Sequence, residues 1–405
     1  MTALPARPLR LAYLVSHPIH YQAPLLRMIA AQPDIELTVL FQSDYLLRPT
    51  VDDGYGVTVD WKADLIGGFN SEFLPRIGSD NRPGFFRPWT YGLCRRLVTG
   101  RFDALWVHGY ARFDNLLAMM VGRALGLRVL VRDDVTPDSK ARGPIRRVLK
   151  RVFFQLLRKL CDGFTIVGTH NAAYFRQNGI PDQRMFLVPY AVDNAFFQTH
   201  AAAAGRQSPA LRRELGLDMD VPVILFVARL LELKRADTLL AAYAKIAGGA
   251  EAEQPYLIFV GDGPMRGALE AETARLGLKR VRFAGFEGQK RLPAYYAMAD
   301  VFVLPSEWET WGLVVNEAMS CGVPVIVSDR VGCRADLVRD GETGLVVPTG
   351  DAGALAAALR RLLTDRTAAV AMGEAGRALV DGWDYAADLR GLRLAFGLPE
   401  PRPVP

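Results

Sequence analysis

The chain has 405 residues, 50% of them hydrophobic and 23% charged, a mixture that buries large cores and excludes both a disulfide-stapled miniprotein and wholesale disorder. Its longest apolar runs, such as Val221 to Ala228 and Val301 to Leu304, fall far short of the roughly 20 residues a membrane-spanning helix needs, and the N-terminus lacks a signal-peptide core, so a cytosolic protein of two or three domains is expected. The formal charge of +6 is uneven: residues 1–200 carry 25 Lys+Arg against 17 Asp+Glu and the remainder 24 against 26, so a basic first half anticipates an anionic partner.

Strand-like and helical patterns alternate twice along the chain, the signature of parallel sheets covered on both faces. In the first half, strands are expected at 9–15, 36–41, 104–107, 128–131, 163–167 and 185–188. Helices are expected between them at 23–31, 88–99, 115–125, 144–160 and 172–178. A small, polar, Pro- and Gly-marked stretch follows, and a boundary with a linker and a short helix is placed near 193–212. The second half repeats the alternation, with strands at 221–227, 256–260, 281–284, 301–304, 324–328 and 345–347 and helices near 236–247, 264–276, 292–298, 312–321, 334–338 and 352–363. The domains expected are 1–199 and 200–383, with 384–405 a C-terminal helix crossing back to the first domain and a Pro-rich tail. Cys94, Cys161, Cys321 and Cys333 are scattered, without C-x-x-C or histidine partners at metal spacing, and read as reduced packing residues.

The most informative stretch is PSEWETWGLVVNEAMSCGVPVIVSD, residues 305–329. A buried strand ends at Pro305, a loop carries Glu307 and Glu309, and a helix starts at Gly312. Ligands of open α/β sheets bind outside the carboxyl ends of the strands, which is where this loop lies. The first-turn amides of Gly312, Leu313 and Val314, with the positive end of the helix dipole, suit an anion such as a phosphate. Glu317, about one and a half turns on, can accept two hydrogen bonds from a vicinal diol such as a ribose, and Glu309 can accept from sugar hydroxyls. Upstream, Arg229 and Lys234 follow a hydrophobic strand in VPVILFVARLLELKRADTLLAAYA and could neutralise a diphosphate. Gly261, Asp262 and Gly263 form a tight strand-to-helix turn, and Gly285 with Phe286 could frame a nucleobase.

In this order, these pieces resemble the C-terminal donor domain of the GT-B glycosyltransferases, specifically the retaining family 4, glycogen-synthase-like group. That resemblance implies a GT-B fold of two Rossmann-like parallel-sheet domains facing across a cleft. It implies metal-independent, retaining transfer of a sugar from a nucleotide-diphosphate sugar, with that donor as substrate and no further cofactor. The family's E-x7-E pair matches Glu309, expected near the transferred sugar, and Glu317, expected on the ribose. Its G-R-L-x-x-x-K motif matches ARLLELK, so Arg229 and Lys234 would hold the diphosphate. The sequence departs from the family at Ala228, where glycine is usual, and at Gly332-Cys333, where Gly-Gly is frequent.

The first half resembles the acceptor domain more loosely. SHPIHYQAPLL replaces a Gly-rich first loop, so His17, His20, Tyr21 and Gln22 sit where donor or acceptor contacts would be made. His108 ends another strand. In VLVRDDVTPDS, Asp133 or Asp134 occupies the place where many relatives carry a histidine near the reacting sugar. Asp133, Asp134 and His108 are the catalytic candidates of this half, beside Glu309, Arg229 and Lys234 in the other.

Between Ser139 and Cys161 there are eight basic residues and no acid. Ile145, Val148, Leu149, Val152, Phe153, Leu156 and Leu160 fall at helical spacing, giving an apolar stripe beside a cationic face. If the stripe packs on the sheet, only the charges and a few rim residues remain for an anionic membrane, and a peripheral association at the inner face of the plasma membrane is one expectation. The Asp-x-Asp at 218–220 precedes a strand, inside the linker, and is rejected as a metal site. A glycan or lipid-linked glycan is the expected acceptor. The competing readings are a nucleotide-sugar epimerase or hydrolase of the same fold, and a non-catalytic basic protein binding membrane or nucleic acid.

Overall fold

A computed structural model describes residues 7–44, 47, 50–51, 58–59, 64–78, 85–86, 89–137, 144–205, 208–248 and 254–400, and for residues 50–51, 58–59 and 144–147 the backbone alone. The chain divides into two compact units, one of residues 1–50, 62–190 and 385–405, the other of residues 51–61 and 191–384.

The first unit is built on a seven-stranded parallel sheet. Its strands are β1 (Leu9–Val15), β2 (Ile35–Phe41), β3 (Asn70–Phe73), β4 (Ala104–His108), β5 (Arg128–Arg132), β6 (Gly163–Ile166) and β7 (Met185–Leu187), in the order β7-β6-β5-β4-β1-β2-β3. Strands covered on both faces read as continuous apolar runs rather than alternations; β1, Leu-Arg-Leu-Ala-Tyr-Leu-Val, is buried at every position but Arg10. The helices interleaved with them are α1 (Ala23–Ala30), α2 (Leu93–Thr99), α3 (Phe113–Ala124), α4 (Pro144–Leu160) and α5 (Thr169–Gln177). Leu105, Val107, Val129, Val131 and Phe164 of the sheet pack with Met119, Phe154, Leu157 and Phe175 of these helices in one core. The edge strand β3 was not foreseen, because Asn70-Ser71-Glu72-Phe73 is polar and only half covered. The helix expected from Pro88 begins at Leu93; Trp89–Thr90 instead pair antiparallel with Arg76–Ile77.

The second unit repeats the plan. Strands β8 (Val223–Val227), β9 (Tyr256–Val260), β10 (Val281–Gly285), β11 (Val301–Leu304), β12 (Val325–Ser328) and β13 (Gly344–Val347) run in the order β10-β9-β8-β11-β12-β13, all parallel. Its helices are α6 (Asn194–Ala204), α7 (Pro209–Glu214), α8 (Ala236–Ile246), α9 (Arg266–Arg275), α10 (Leu292–Met298), α11 (Leu313–Ser320), α12 (Arg334–Leu337), α13 (Ala352–Thr364) and α14 (Arg366–Val380). Where a linker with one short helix was expected there are two helices, α6 capped by Asp193, whose carboxylate accepts from the Phe196 amide at 2.9 Å. Helix α14 was also unforeseen. Gly373 and Gly376 in its middle look like breakers, yet both are buried, and the Asp365 side chain caps its start.

The last helix, α15 (Tyr385–Phe396), belongs to the first unit. Arg393 makes two hydrogen bonds to Asp34 at 2.6 and 2.9 Å, and the buried pair Arg132–Asp388, at 3.6 Å, ties the helix to the carboxyl end of β5.

In both sheets the strand order reverses beside the first strand of the unit, between β1 and β4 and between β8 and β11. Loops diverge there at the strands' carboxyl ends and leave a crevice in which ligands of open α/β sheets bind.

Candidate active site

In the second unit, the loops leaving β8, β9 and β11 are laced together by backbone hydrogen bonds. The Ala228 amide donates to Val260 at 3.1 Å, Leu230 to Asp262 at 2.9 Å and Met265 back to Leu230 at 3.0 Å. Asp262 turns its carboxylate onto the Gly263 amide at 2.8 Å and onto Arg266 at 2.9 Å. The Gly-Asp-Gly turn thus forms a bed for the loop bearing Arg229, a half-buried residue.

The β11 loop lies against the same segment. The Glu307 amide donates to the Leu233 carbonyl at 2.8 Å, and the Glu307 carboxylate meets Arg235 at 3.4 Å. Lys234 forms an ion pair with Glu309, both side chains about five-sixths covered. Two sequence-predicted residues 75 positions apart therefore sit in direct contact. An ammonium and a carboxylate largely withdrawn from water hold each other strongly, and each is left costly to bury if the other is removed.

At the start of α11, Gly312 has φ +99°, a left-handed conformation that residues with a side chain rarely adopt. It turns the chain so that the amides of Leu313 and Val314 begin the helix, where geometry denies them intrahelical acceptors. Glu309 and Thr310 are backed by the 330–333 segment: Glu309 donates its amide to the Arg330 carbonyl at 3.2 Å, and Cys333 donates to Trp311 at 2.9 Å. A Cβ on Gly332 would fall 2.0 Å from the Thr310 carbonyl oxygen, so only glycine permits this approach. Cys333, where the sequence departs from Gly-Gly, is buried beneath the loop, its thiol pushed well up by burial and by the nearby Glu309 charge.

Glu317 lies one turn deeper and accepts a hydrogen bond from the Tyr296 hydroxyl at 2.7 Å. Burial pushes its pKa up to about 7, against the smaller lowering effect of that hydrogen bond. Phe286 is half-buried just beyond the end of β10. Asp218 of the rejected Asp-x-Asp is engaged structurally, by Arg280 at 2.9 Å and the Tyr256 hydroxyl at 3.2 Å.

In the first unit, the loop after β1 carries His17 and His20. Ser16 Oγ lies 2.9 Å from His17 Nδ1; His20 packs edge-on against Tyr21, and burial pushes His20 down to about 4. At the end of β4, His108 Nδ1 lies 2.8 Å from the Tyr13 hydroxyl and 2.9 Å from the Gln22 amide nitrogen. Burial first, then the charges of Arg132 and His17, push it down to about 3. At the end of β5, Asp133 is buried and accepts from the Val135 amide at 3.0 Å; burial and the adjacent Asp134 push its pKa up to about 7. Asp134 accepts from the Tyr190 hydroxyl at 3.0 Å, and Tyr190 is stacked beneath the Arg132 guanidinium at 5.0 Å. Tyr13, Arg132, Tyr190 and Tyr296 escaped the sequence reading, whereas Gln22 was singled out with its loop. The one signal for them was Arg132, a cation inside an otherwise apolar strand immediately before two aspartates.

Helix α4 corrects the expected apolar stripe. Phe154 and Leu157 are fully buried in the core, with Phe153 and Leu160 half-buried beside them, and the Lys150 ammonium sits over the Tyr174 ring at 4.1 Å. Val148, Leu149, Val152 and Leu156, assigned to that stripe, are 48–63% exposed, flanked by the exposed Arg151, Arg158 and Lys159. The core-facing line runs about one residue out of phase with the expected one, because two aromatic rings at 153–154 take the sheet side. Lys140 and Arg142 lie outside the described residues. Among the described residues, no helix is long and apolar enough to cross a membrane.

Residues 207–379 match the model of glycosyl transferases group 1. The chain is 34% identical over 243 residues, covering 58% of itself and 61% of the relative, to a GDP-mannose-dependent alpha-(1-6)-phosphatidylinositol monomannoside mannosyltransferase of Mycolicibacterium smegmatis. It is 33% identical over 220 residues, covering 52% of itself and 51% of the relative, to a D-inositol 3-phosphate glycosyltransferase of Thermomonospora curvata. It thus spans between one half and two thirds of the length of these curated relatives. HepE of Anabaena, solved with UDP and glucose, shares the fold with a TM-score of 0.70 at 18% identity, over 96% of this chain and 99% of that one. Two parallel sheets of the same doubly wound order give this chain the GT-B fold, and the stretch similar to glycosyl transferases group 1 lies in the second.

Proposed function

We propose that the protein transfers a sugar from a nucleotide-diphosphate donor to a glycan or lipid-linked glycan acceptor, with retention at the anomeric carbon and without a metal ion. The observation that carries this reading is the Lys234–Glu309 pair beside the α11 N-terminus, with Arg229 in the loop leaving β8, at the switch point of the second unit. As the glycosidic C–O bond breaks, negative charge grows on the diphosphate while the sugar becomes oxocarbenium-like. Arg229, Lys234 and the amides of Gly312 to Val314 stabilise that charge from fixed positions, the largest single means by which such a barrier is lowered. Lys234 does this while held by Glu309, which fixes the ammonium before the donor arrives. Glu309 keeps a second carboxylate oxygen for sugar hydroxyls. Glu317, steadied by Tyr296, accepts from the ribose diol, and Phe286 lies against the base. The acceptor hydroxyl attacks from the leaving-group face and its proton passes to a phosphate oxygen.

Lys234→Ala and Glu309→Ala are expected to lose most turnover while retaining a cooperative melt. Wild-type turnover in both refutes the site. Nucleotide release that depends on added acceptor separates transfer from the epimerase and hydrolase alternatives.

The acceptor reading extends to where the protein works. The exposed line Val148, Leu149, Val152 and Leu156, rimmed by Arg151, Arg158 and Lys159, matches an anionic phospholipid surface in both apolarity and charge. Each cation near such a surface contributes about 1 kcal/mol, and the apolar residues enter the headgroup boundary. The protein should therefore cosediment with phosphatidylglycerol vesicles and not with phosphatidylcholine vesicles, and Val152→Glu/Leu156→Glu should abolish this. Equal sedimentation of the variant, or none of the wild type, removes the membrane from the reading.

A further inference from the structure

The first unit's switch point holds a three-residue cluster whose hydrogen bonding defines what His108 can do. Tyr13, in the middle of β1, and Gln22, immediately before α1, are both almost wholly buried, and both reach the same ring nitrogen of His108. The Tyr13 hydroxyl also lies 3.0 Å from the Gln22 amide oxygen, so its one proton serves two acceptors, that oxygen and Nδ1, while the amide nitrogen points at the imidazole. An amide N–H has no lone pair to offer, so Nδ1 must be the acceptor of that bond and must be bare. The single imidazole proton then resides on Nε2 of this half-buried residue. From behind, Asn115 holds the strand end, its side-chain amide donating to the His108 and Gly109 carbonyls at 2.9 Å each.

We infer that Tyr13 and Gln22 are positioning residues that lock His108 as a neutral Nε2–H hydrogen-bond donor, so that it grips an oxygen of a bound sugar or phosphate and does not act as a proton acceptor. The charged groups facing the ring agree with this. Arg132 on β5 and His17 in the β1–α1 loop both oppose a positive imidazole, and Tyr13 brings no charge of its own. A ring so held has little basicity to offer a hydroxyl nucleophile near neutral pH.

The inference about donation to a substrate oxygen rests on the transferase reading, but the state of the ring does not, and the two are tested separately. Long-range ¹H–¹⁵N spectra of the wild-type imidazoles, with His108 assigned by its loss in His108→Gln, are expected to show the Nε2–H tautomer unchanged from pH 5 to pH 8. An Nδ1–H tautomer, or a midpoint above pH 6, overturns the inference whatever the protein catalyses. In Gln22→Glu a carboxylate faces Nδ1, and the proton should move to Nδ1 with a raised midpoint. Tyr13→Phe leaves the Gln22 amide in place and should keep the Nε2–H form. If Gln22→Glu does not fold, the wild-type spectrum and Tyr13→Phe still decide.

The functional half uses His108→Gln against His108→Ala. Glutamine can donate from near the Nε2 position and cannot serve as a base. Loss of a neutral hydrogen bond costs about tenfold, loss of a general base about a hundred- to ten-thousand-fold. We expect His108→Gln to stay within about tenfold of wild type in kcat/KM, with the deficit mainly in KM, and His108→Ala to fall below it. A hundredfold loss in kcat for His108→Gln, with fold intact, overturns the donor role.

Discussion

Burial of Glu317 sets the stability of the second unit against the nucleotide contact proposed for it, and replacing it by glutamine separates the two. The carboxyl is buried, with the Tyr296 hydroxyl its hydrogen-bond donor, and its pKa is raised from 4.5 to about 7. Over those two and a half units, at about 1.4 kcal/mol each, the ionised form destabilises the folded state by about 3 kcal/mol. The folded state binds the proton more tightly than the unfolded chain, so stability falls as pH rises from about 4.5 to about 7 and stays reduced above. Glu317→Gln keeps an acceptor for Tyr296 and removes the charge. The variant should therefore match wild type near pH 4.5 and be more stable by about 3 kcal/mol at pH 8, several degrees in Tm for a unit of this size. Its affinity for a nucleotide diphosphate should fall in the same experiment by about tenfold or more at pH 8, because a carboxylate gripping a diol makes stronger hydrogen bonds than an amide. Paired thermal melts at the two pH values, with and without UDP or GDP, measure both effects. A stability difference independent of pH, or a variant less stable than wild type at pH 8, refutes the reasoning about burial; undiminished nucleotide affinity refutes the ribose contact.

Two further outcomes follow from contacts elsewhere. Gly332→Ala puts a methyl 2.0 Å from the Thr310 carbonyl, so the loop bearing Glu309 must shift, and a large loss of donor affinity is expected in titration calorimetry with little change in far-ultraviolet circular dichroism. Asp388→Ala leaves the Arg132 guanidinium, 3% exposed, without its carboxylate; a loss of about 3–5 kcal/mol in urea unfolding of the first unit is expected, largely restored in Arg132→Met/Asp388→Leu, where no charge is stranded. A double variant as unstable as the single one shows the pair to be doing something other than neutralising itself.

The second unit was far more legible than the first, and the reason lies in how each builds its site. Arg229, Lys234, Glu309 and Gly312 are placed by backbone loops at strand ends, and loops of that kind carry glycines and charges that break an apolar pattern visibly. The Lys234–Glu309 contact follows once the β8 and β11 loops are known to be neighbours, which the strand order supplies. The first unit instead assembles its polar cluster from inside apolar runs. Tyr13 is one residue of a strand reading Leu-Arg-Leu-Ala-Tyr-Leu-Val, and nothing in that string says its hydroxyl meets His108. Helix α4 failed differently: periodicity found the amphipathic helix but not its phase, since Val148, Leu149, Phe153 and Phe154 fit two overlapping stripes and only packing chooses the aromatic one.

The two switch points also differ in the kind of charge they offer. In the second unit Lys234, one of the two cations proposed to face a diphosphate, is already paired with Glu309, so under that proposal it is positioned before the ligand arrives and little reorganisation remains at the moment of bond breaking. In the first unit, apart from the Arg132–Asp388 pair, three ionisable groups are driven toward neutrality instead: His108 and His20 downward, Asp133 upward, each chiefly by burial. Neutral donors and acceptors suit hydroxyls, and fixed charges suit phosphates. The sugar transfer proposed here needs both, and each sheet carries one kind. Introducing a charge into the first unit's cluster should therefore hurt recognition of a hydroxyl-rich ligand without altering nucleotide affinity, whereas removing one from the second should do the reverse.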